Sequence, residues 1–113
     1  MRVDLYQFGR IVVEGREYTT DVLIFPKRVD SAWRRKEGHR LSLDDLRSVI
    51  ESDPETIVIG TGAYGAMTVP PDIVAQLEAR KIRVVVFRTR EAVEAYNRLY
   101  KAGRVAAALH LTC

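Results

Sequence analysis

The sequence predicts an α/β fold in which helices pack against a central mixed sheet. In the second half, three short continuous apolar runs, Thr56–Ile59, Ile82–Phe87 and Val105–Leu111, have the length and composition of buried strands. Each of the two gaps between these runs holds a helical pattern, and this alternation is typical of parallel strands joined by helices. In the first half, short apolar and polar runs from Val3 to Phe25 are broken by glycines, which is typical of antiparallel hairpins.

The N-terminal half is predicted to be antiparallel throughout. Gly9 and Glu14-Gly15 mark turns between strands, and Asp21–Phe25 has the pattern of a compact apolar strand. Further along, we expect Ser31–Arg35 to pair with His39–Leu41 across a short turn.

Three helices follow from capping and spacing signals. Ser42 and Asp45 resemble a capping box, which predicts a helix that ends near Asp53-Pro54. Pro71 suits the first turn of a second helix, and Thr89 is expected to cap a third.

One predicted strand contains the consecutive valines Val84, Val85 and Val86. Because alternate residues of a strand point to opposite faces, an unbroken apolar run predicts a strand that is covered on both faces of the sheet.

Length and composition indicate one globular domain over residues 1–113. Hydrophobic residues make up 47% of the chain and charged residues 29%, which is ordinary globular usage and argues against a disordered, collagen-like or coiled-coil chain. No segment is a long unbroken apolar run, so we expect no signal peptide, no membrane span and a cytoplasmic location.

Metal, cofactor and enzyme motifs are scarce. Cys113 is the single cysteine, and with only His39 and His110 beside it a four-ligand zinc site from one chain is nearly excluded. His110 and Cys113 have H-x-x-C spacing, but residues three apart on a strand point to opposite faces, so we expect no metal there. The nucleophile elbow, the phosphate-binding loop and the H-E-x-x-H helix are all absent from the sequence.

The positive charge is concentrated in one segment. Six basic and two acidic residues lie between Pro26 and Arg40, although the whole chain carries a net charge of only +3. Such a segment could attract an acidic partner or nucleic acid, or it could be an ordinary solvated loop. Trp33 with Arg34 and Arg35 is the candidate partner-binding surface, because Trp and Arg are favoured interface anchors.

Gly60-Thr61-Gly62-Ala63-Tyr64-Gly65 formally matches the dinucleotide-binding pattern and follows a predicted strand. In that pattern a helix opens within the glycines themselves, whereas here the helix is predicted to begin only at Pro71. The next strand ends at Phe87-Arg88 without the acidic residue that would hold a ribose, so we expect no dinucleotide cofactor. A turn that needs small residues or positive φ is the simpler explanation.

The carboxyl ends of parallel strands meet at one edge of a sheet, which α/β proteins use for ligands. Three loops should converge there: Gly60–Thr68, Arg88–Arg90 and the tail His110–Cys113. The candidate ligand-binding residues, which would suit a small anion or carboxylate, are Gly60, Thr61, Gly62, Arg88 and Thr89. The alternative is that Arg88 is merely solvated and Thr89 merely caps its helix.

Several stretches together resemble a known family of small proteins. They are Phe8-Gly9 with Ile11, Gly15, Tyr18 and Asp21, then Trp33 and Arg34, then Ile57–Gly62, then Thr89, Ala92, Tyr96 and Asn97, and finally Gly103–Ala107. The family is the adipogenesis-associated domain, also called domain of unknown function 498, whose relatives include a mitochondrial respiratory complex I assembly factor. The resemblance implies a three-layer fold around a mixed five-stranded sheet, no settled catalytic residues or cofactor, and accessory or assembly roles among the eukaryotic relatives. We do not carry over the mitochondrial location, since we expect no presequence here.

These observations favour a non-catalytic protein-binding accessory module with a protein partner still to be identified. A small-anion site or a modest enzyme at the carboxyl edge is the alternative. Nucleic-acid binding through Lys27–Arg40 is less favoured, because no aromatic interleaving or reading helix accompanies the charge. A homodimer through a self-paired edge strand of the first half stays open.

Overall fold

The computed structural model describes residues 1–113 and confirms the α/β class with a central mixed sheet. Eight strands form two sheets: β1 (Val3–Gln7), β2 (Arg10–Val13), β3 (Arg16–Tyr18), β4 (Val22–Ile24), β5 (Val29–Asp30), β6 (Thr56–Gly60), β7 (Arg83–Phe87) and β8 (Val105–Leu109). The helices are α1 (Arg47–Glu51), α2 (Pro71–Ala79) and α3 (Thr89–Leu99), with short 3-10 turns at Leu43–Leu46 and Tyr100–Ala102.

The main sheet has five strands in the order β5-β4-β8-β6-β7. Strand β6 runs parallel to both of its neighbours, β7 and β8, while β4 runs antiparallel to β8 and to β5. The second sheet is the antiparallel meander β1-β2-β3. The N-terminal hairpins and the parallel second half are therefore where the sequence predicts them.

The two faces of the main sheet bury separate apolar clusters, which gives three layers. Alternate residues of β6 point to opposite faces, so Val58 packs with α3 and the small sheet while Ile57 and Ile59 pack with α1 and α2. Helix α2 begins at Pro71 in the first helical position, as predicted. None of the helices has both the length and the apolar character needed to cross a bilayer.

Strand β7 departs from its prediction. It lies at the edge of the sheet, and Val86 and Phe87 are exposed while Val84 and Val85 are only partly buried. The expectation that the valine run is covered on both faces is wrong, because strand order is set by long-range pairing, which an apolar run alone does not encode.

The segment between β5 and α1 also differs from its prediction. Ser31–Arg35 and His39–Leu41 do not pair as strands, and the nearest feature is a single antiparallel bridge between Glu37 and Arg40. The Asp45 carboxylate accepts the Ser42 amide hydrogen at 2.8 Å, which is one half of the predicted capping box, and the helix that follows ends at Glu51.

Candidate functional site at the carboxyl edge of the parallel strands

The loop after β6, the start of α3 and the tail after β8 meet at one edge, as predicted. The hydroxyl of Thr89 donates to the carbonyl of His110 at 2.6 Å and accepts the amide hydrogen of Gly62 at 2.8 Å. The amide of Thr89 in turn donates to the carbonyl of Gly62 at 3.1 Å. One buried side chain therefore joins three segments that are distant in sequence.

Thr89 does not cap α3, contrary to expectation. Arg88 occupies the N-cap position and Thr89 is the first helical residue, with its hydroxyl turned away from its own helix toward Gly62 and His110. The reason is that two buried backbone groups need this hydroxyl, whereas amides at a helix start can reach water.

The other small residues of the candidate set also support the edge. The Thr61 hydroxyl donates to the Phe87 carbonyl at 3.2 Å. Gly60 is packed so closely that a Cβ would lie 2.8 Å from the Thr89 hydroxyl oxygen and 2.9 Å from a Leu109 methyl. These groups hold the edge together through internal contacts, and the threonine hydroxyls are already engaged.

The glycine loop wraps the end of the chain. Gly62 and Gly65 have φ values of +106° and +73°, so the turn does require the positive φ that glycine tolerates. The amide of Ala63 donates to Thr112, and those of Tyr64 and Ala66 both donate to the carbonyl of Cys113 at 3.0 Å. The amide groups that would cradle a phosphate are thus bonded to the tail.

Arg88 is an exposed cation at this edge. Its side chain packs against Gly65, where a Cβ would lie 3.3 Å from the guanidinium Nε. It forms no ion pair with any carboxylate of the chain. An exposed, unpaired guanidinium is therefore available to a partner or an anion.

Two exposed aromatic side chains adjoin the same edge. The amide of Gly9 donates to the carbonyl of Leu111 at 2.9 Å, which places the β1–β2 turn beside the tail. Phe8 in this turn is 54% exposed and Tyr64 is 70% exposed, and their ring centroids lie 6.0 Å apart. We call Phe8, Tyr64 and Arg88 the aromatic rim.

Sequence reasoning missed Phe8 and Tyr64. The available signal was an aromatic residue inside each of two predicted glycine turns, where side chains usually face solvent. An aromatic residue at such a position has no core to join, so it is a candidate for contact with another molecule.

Next to the tail lies a cluster of Asp21, Arg35 and His110, in which Arg35 and His110 have buried side chains and Asp21 is partly buried. Nδ1 of His110 lies 2.8 Å from Oδ2 of Asp21, and the other carboxylate oxygen accepts the Leu111 amide hydrogen at 2.7 Å. Nη1 of Arg35 lies 3.0 Å from Oδ2 but is poorly aligned for a directed hydrogen bond, so this contact is mainly ionic. The Arg35 guanidinium also donates from Nη2 to the Gly38 carbonyl at 2.8 Å.

The contacts in this cluster determine the direction of the Asp21 pKa shift and the hydrogen-bonding role of His110 Nδ1. Burial acts to raise the pKa of Asp21, but hydrogen bonds from His110 and the Leu111 amide, together with Arg35, outweigh burial and the pKa is lowered. A carboxylate only accepts and a guanidinium only donates, so His110 Nδ1 cannot bond to both Asp21 and Arg35. The shorter contact, 2.8 Å to Asp21, is assigned as a hydrogen bond in which Nδ1 donates, and the 3.2 Å approach of Arg35 Nη2 to the same nitrogen is then not a hydrogen bond. His110 Nε2 is buried without a hydrogen-bond partner.

Trp33 is not the surface anchor that the sequence suggested. Its side chain is only 8% exposed, packs in the cluster with α1 and α2, and donates its indole hydrogen to the Asp45 carbonyl at 3.0 Å. The Arg35 side chain is 5% exposed and is committed to Asp21, so Arg34 alone remains exposed. Burial of the Trp33 ring is favourable because it removes a large apolar surface from water. The cost for the neighbouring arginines is small, because the charged end of Arg35 reaches a carboxylate and that of Arg34 reaches water.

The basic segment is largely neutralised within the chain. Its ion pairs are Arg28 with Asp30 at 3.1 Å, Arg35 with Asp21 at 3.0 Å, Lys36 with Asp44 at 3.4 Å and Arg40 with Glu37 at 3.8 Å. Of its six basic side chains, only Lys27 and Arg34 lack such a partner, so the local positive field is weaker than the sequence suggests.

The histidines and the cysteine that could bind a metal are few, although the two histidine rings lie near each other. The exposed His39 ring lies 5.6 Å from the His110 ring, and Cys113 is exposed. No group of three or more His, Cys, Asp or Glu side chains is arranged to hold a metal ion.

A comparison with protein families finds one that matches nearly the whole chain. A family model described as protein of unknown function (DUF498/DUF598) matches residues 3–110. The chain belongs to the DUF498/DUF598 family. This is the family that the sequence resembles, and the match includes β1 through His110.

Solved structures similar to this DUF498/DUF598 chain share its whole fold. The conserved hypothetical protein PH1505 from Pyrococcus horikoshii OT3 is 26% identical, with a TM-score of 0.86 over 100% of each chain. The protein MT938 is 31% identical, with a TM-score of 0.81 over 99% of this chain and 98% of that one. A Mth938-like domain from Bordetella pertussis is 21% identical with a TM-score of 0.67 over 97% of this chain and 85% of that one, which shows the fold alone.

In this DUF498/DUF598 chain, the edge where α/β proteins usually bind ligands is therefore closed by the chain itself. The loop amides bind the tail, and the threonine hydroxyls bind backbone carbonyls. Among the free groups at this edge are the aromatic rings of the rim, the guanidinium of Arg88 and the thiol of Cys113.

Proposed function

We propose that the protein is a non-catalytic, protein-binding accessory module that holds its partner at the aromatic rim. The observation that carries the proposal is the pairing of Phe8 with Tyr64, the two most exposed large apolar side chains, at a ring separation of 6.0 Å. Adjacent exposed aromatic rings beside a free arginine have the composition of interface anchors.

The backbone that carries the rim is held by internal hydrogen bonds, which favours binding. The Tyr64 amide and the Ala66 amide are both fixed on the Cys113 carbonyl, and the Phe8 turn is fixed on Leu111 through Gly9. Side chains on such a scaffold lose less conformational freedom on binding than side chains on a loose loop, so more of the contact energy appears as affinity.

A non-catalytic role is supported by how the reactive groups are used. The hydroxyls of Thr61 and Thr89 bind backbone carbonyls, and His110 is turned by Asp21 into the interior. Acid–base or nucleophilic catalysis requires such groups to reach a substrate. We place the accessory role in the cytoplasm, where an exposed thiol such as Cys113 stays reduced.

A small-anion site is the second candidate, because the Arg88 guanidinium is exposed and lacks a carboxylate partner. A thermal-shift panel of phosphates, nucleotides and carboxylates tests it. A ligand at one hundred times its dissociation constant stabilises the fold by about 2.7 kcal/mol, and Arg88→Gln should abolish that gain. Absence of any shift across the panel rejects this candidate.

The leading proposal is tested by quantitative affinity capture from cells that naturally express the protein. The double variant Phe8→Ser, Tyr64→Ser should lose its stoichiometric partner, because both apolar contacts disappear. Leu5→Ser is the matched control, since Leu5 is an exposed apolar residue of β1 outside the rim. Equal capture by the double variant and the control would reject the rim as the binding surface.

A further inference from the structure

Strand β7 leaves one edge of the main sheet open. It pairs only with β6, whereas the opposite edge of that sheet is β5, which has two residues and carries the Arg28–Asp30 ion pair. Of the two edge strands of the small sheet, β3 is short and bears Arg16 and Glu17, and β1 has its Val3 amide and carbonyl bonded to the Asn97 side chain. Natural proteins usually blunt their edges in this way, with short strands and charges.

β7 is longer than β3 and β5, and its one charged residue, Arg83, stands at its first position. It has five residues and its interior is an unbroken run of Val84, Val85 and Val86. Apart from the pairing with β6, no backbone or side-chain hydrogen bond within the chain reaches these three residues. The outward amide and carbonyl groups of the strand are therefore free to pair with another strand.

A groove accompanies the open edge. It has a volume of about 480 Å³ and lies between β7 and the face of α3 that carries Ala95, Arg98 and Leu99. We call β7 with these three residues the edge groove. A strand added to β7 would point every second side chain along this groove, and the apolar lining would favour apolar side chains there.

The charge of the edge groove identifies the kind of partner. Arg83 and Arg98 are the only charged residues that line it, both are exposed, and neither forms an ion pair. Pairing with a second copy of this chain would bring four guanidinium groups into one interface without a carboxylate among the lining residues. An acidic partner would instead complement both arginines.

We propose that the edge groove accepts an extended segment of another protein as a sixth strand, and that this segment presents both apolar and acidic side chains on the face that it turns to the groove. Arg83 lies on the same face of β7 as Val85, which packs with α3, so both arginines line that face. The five residues of β7 set the length of the segment, which is about 17 Å at a rise of about 3.3 Å per residue. Backbone hydrogen bonds to β7 supply affinity, the groove selects apolar side chains, and Arg83 and Arg98 select acidic ones. This inference does not depend on the aromatic rim.

The test uses the isotope-labelled full chain and a synthetic seven-residue peptide. Its odd positions, which share one face of a strand, are valine and glutamate in turn, and its even positions are threonine. Adding the peptide should shift the backbone amide signals of Val84–Phe87 in a saturable way and slow their exchange with deuterium. The same peptide with lysine at each acidic position should bind about tenfold more weakly, since two exposed ion pairs are replaced by repulsions.

Two variants keep the test decisive. Arg83→Glu with Arg98→Glu should reverse the preference between the two peptides, and both sites are exposed, so the fold should persist. Val86→Pro should abolish binding of both peptides, because it removes an amide that faces away from β6. The bonds from the Arg83 amide to the Glu55 carbonyl and from the Thr61 amide to the Phe87 carbonyl leave Val84 and Val86 facing outward. Absence of shifts at Val84–Phe87 with the acidic peptide, or unchanged preference in the double variant, would overturn the proposal. Protection of these amides by self-association without peptide would also overturn it and assign the edge to a second copy.

Discussion

Nδ1 of His110 lies 2.8 Å from Oδ2 of Asp21, although 89 residues separate the two in the chain. Asp21 directly precedes β4 and His110 directly follows β8, so the contact joins two antiparallel neighbours at the edge that supports the rim. The same carboxylate holds the Leu111 amide and the Arg35 guanidinium. The Asp21 carboxylate therefore joins three groups from two other segments at this edge.

Asp21→Asn should lower the free energy of unfolding by roughly 2–4 kcal/mol, because it leaves the Arg35 guanidinium buried without a counter-charge. Urea denaturation measures the loss. Asp30→Asn is the matched control: the Asp30–Arg28 pair is exposed and should contribute at most about 1 kcal/mol. Equal losses for the two variants would contradict the importance of the buried cluster.

The stability of the protein should fall with acid in a way that depends on Asp21. Because its pKa is lowered on folding, the unfolded chain takes up a proton first, and the stabilisation present above the ordinary value of 3.8 is lost as pH falls through the folded-state pKa. The gap in unfolding free energy between wild type and Asp21→Asn should therefore narrow from pH 5 to pH 3. A difference in unfolding free energy that stays constant between pH 5 and pH 3 would show that protonation of Asp21 does not control the loss of stability.

Gly62→Ala should destabilise the edge by roughly 2–4 kcal/mol, through both positive φ and crowding. A Cβ at Gly62 would lie 2.4 Å from the carbonyl carbon of Cys113 and 2.8 Å from Cδ2 of His110. Gly15→Ala separates the two effects, because Gly15 has a φ of +78° with no atom within 4 Å of such a Cβ. Thermal unfolding should show a loss of only about 1 kcal/mol for Gly15→Ala, and equal losses would disprove the close approach.

Thr89→Val should cost roughly 2–4 kcal/mol, since the buried Gly62 amide and His110 carbonyl both lose their partner. Thr89→Ser keeps the hydroxyl and should cost about 1 kcal/mol or less. Amide exchange supplies the readout: the Gly62 amide should lose protection in the valine variant and retain it in the serine variant. Retained protection in Thr89→Val would mean that the hydroxyl does not hold the loop.

Much of the framework was predictable because it follows from local patterns. The apolar runs that become β6 and β8 are buried on both faces, and α2 begins at Pro71 as its sequence indicates. The positive φ of Gly62 and Gly65 was likewise expected from the glycine pattern.

The features that the sequence predicts wrongly or misses are contacts between distant segments. The valines of β7 predict a buried strand, but its place at the sheet edge depends on which strands β6 pairs with. Trp33 lies among basic residues in sequence and among apolar ones in space. The partners of Asp21, like the meeting of Phe8 with Tyr64, arise only when two turns far apart in the chain come together.

The most direct test of the account is site-specific photo-crosslinking with benzoylphenylalanine in place of Tyr64, in cells that express the protein. Lys101, an exposed residue of the 3-10 turn that precedes β8, provides the matched control position. We expect one defined protein adduct at position 64, none at position 101, and loss of the adduct when Phe8→Ser is added. Absence of an adduct at position 64, or the same adducts at both positions, would contradict the proposal that the aromatic rim binds a protein partner.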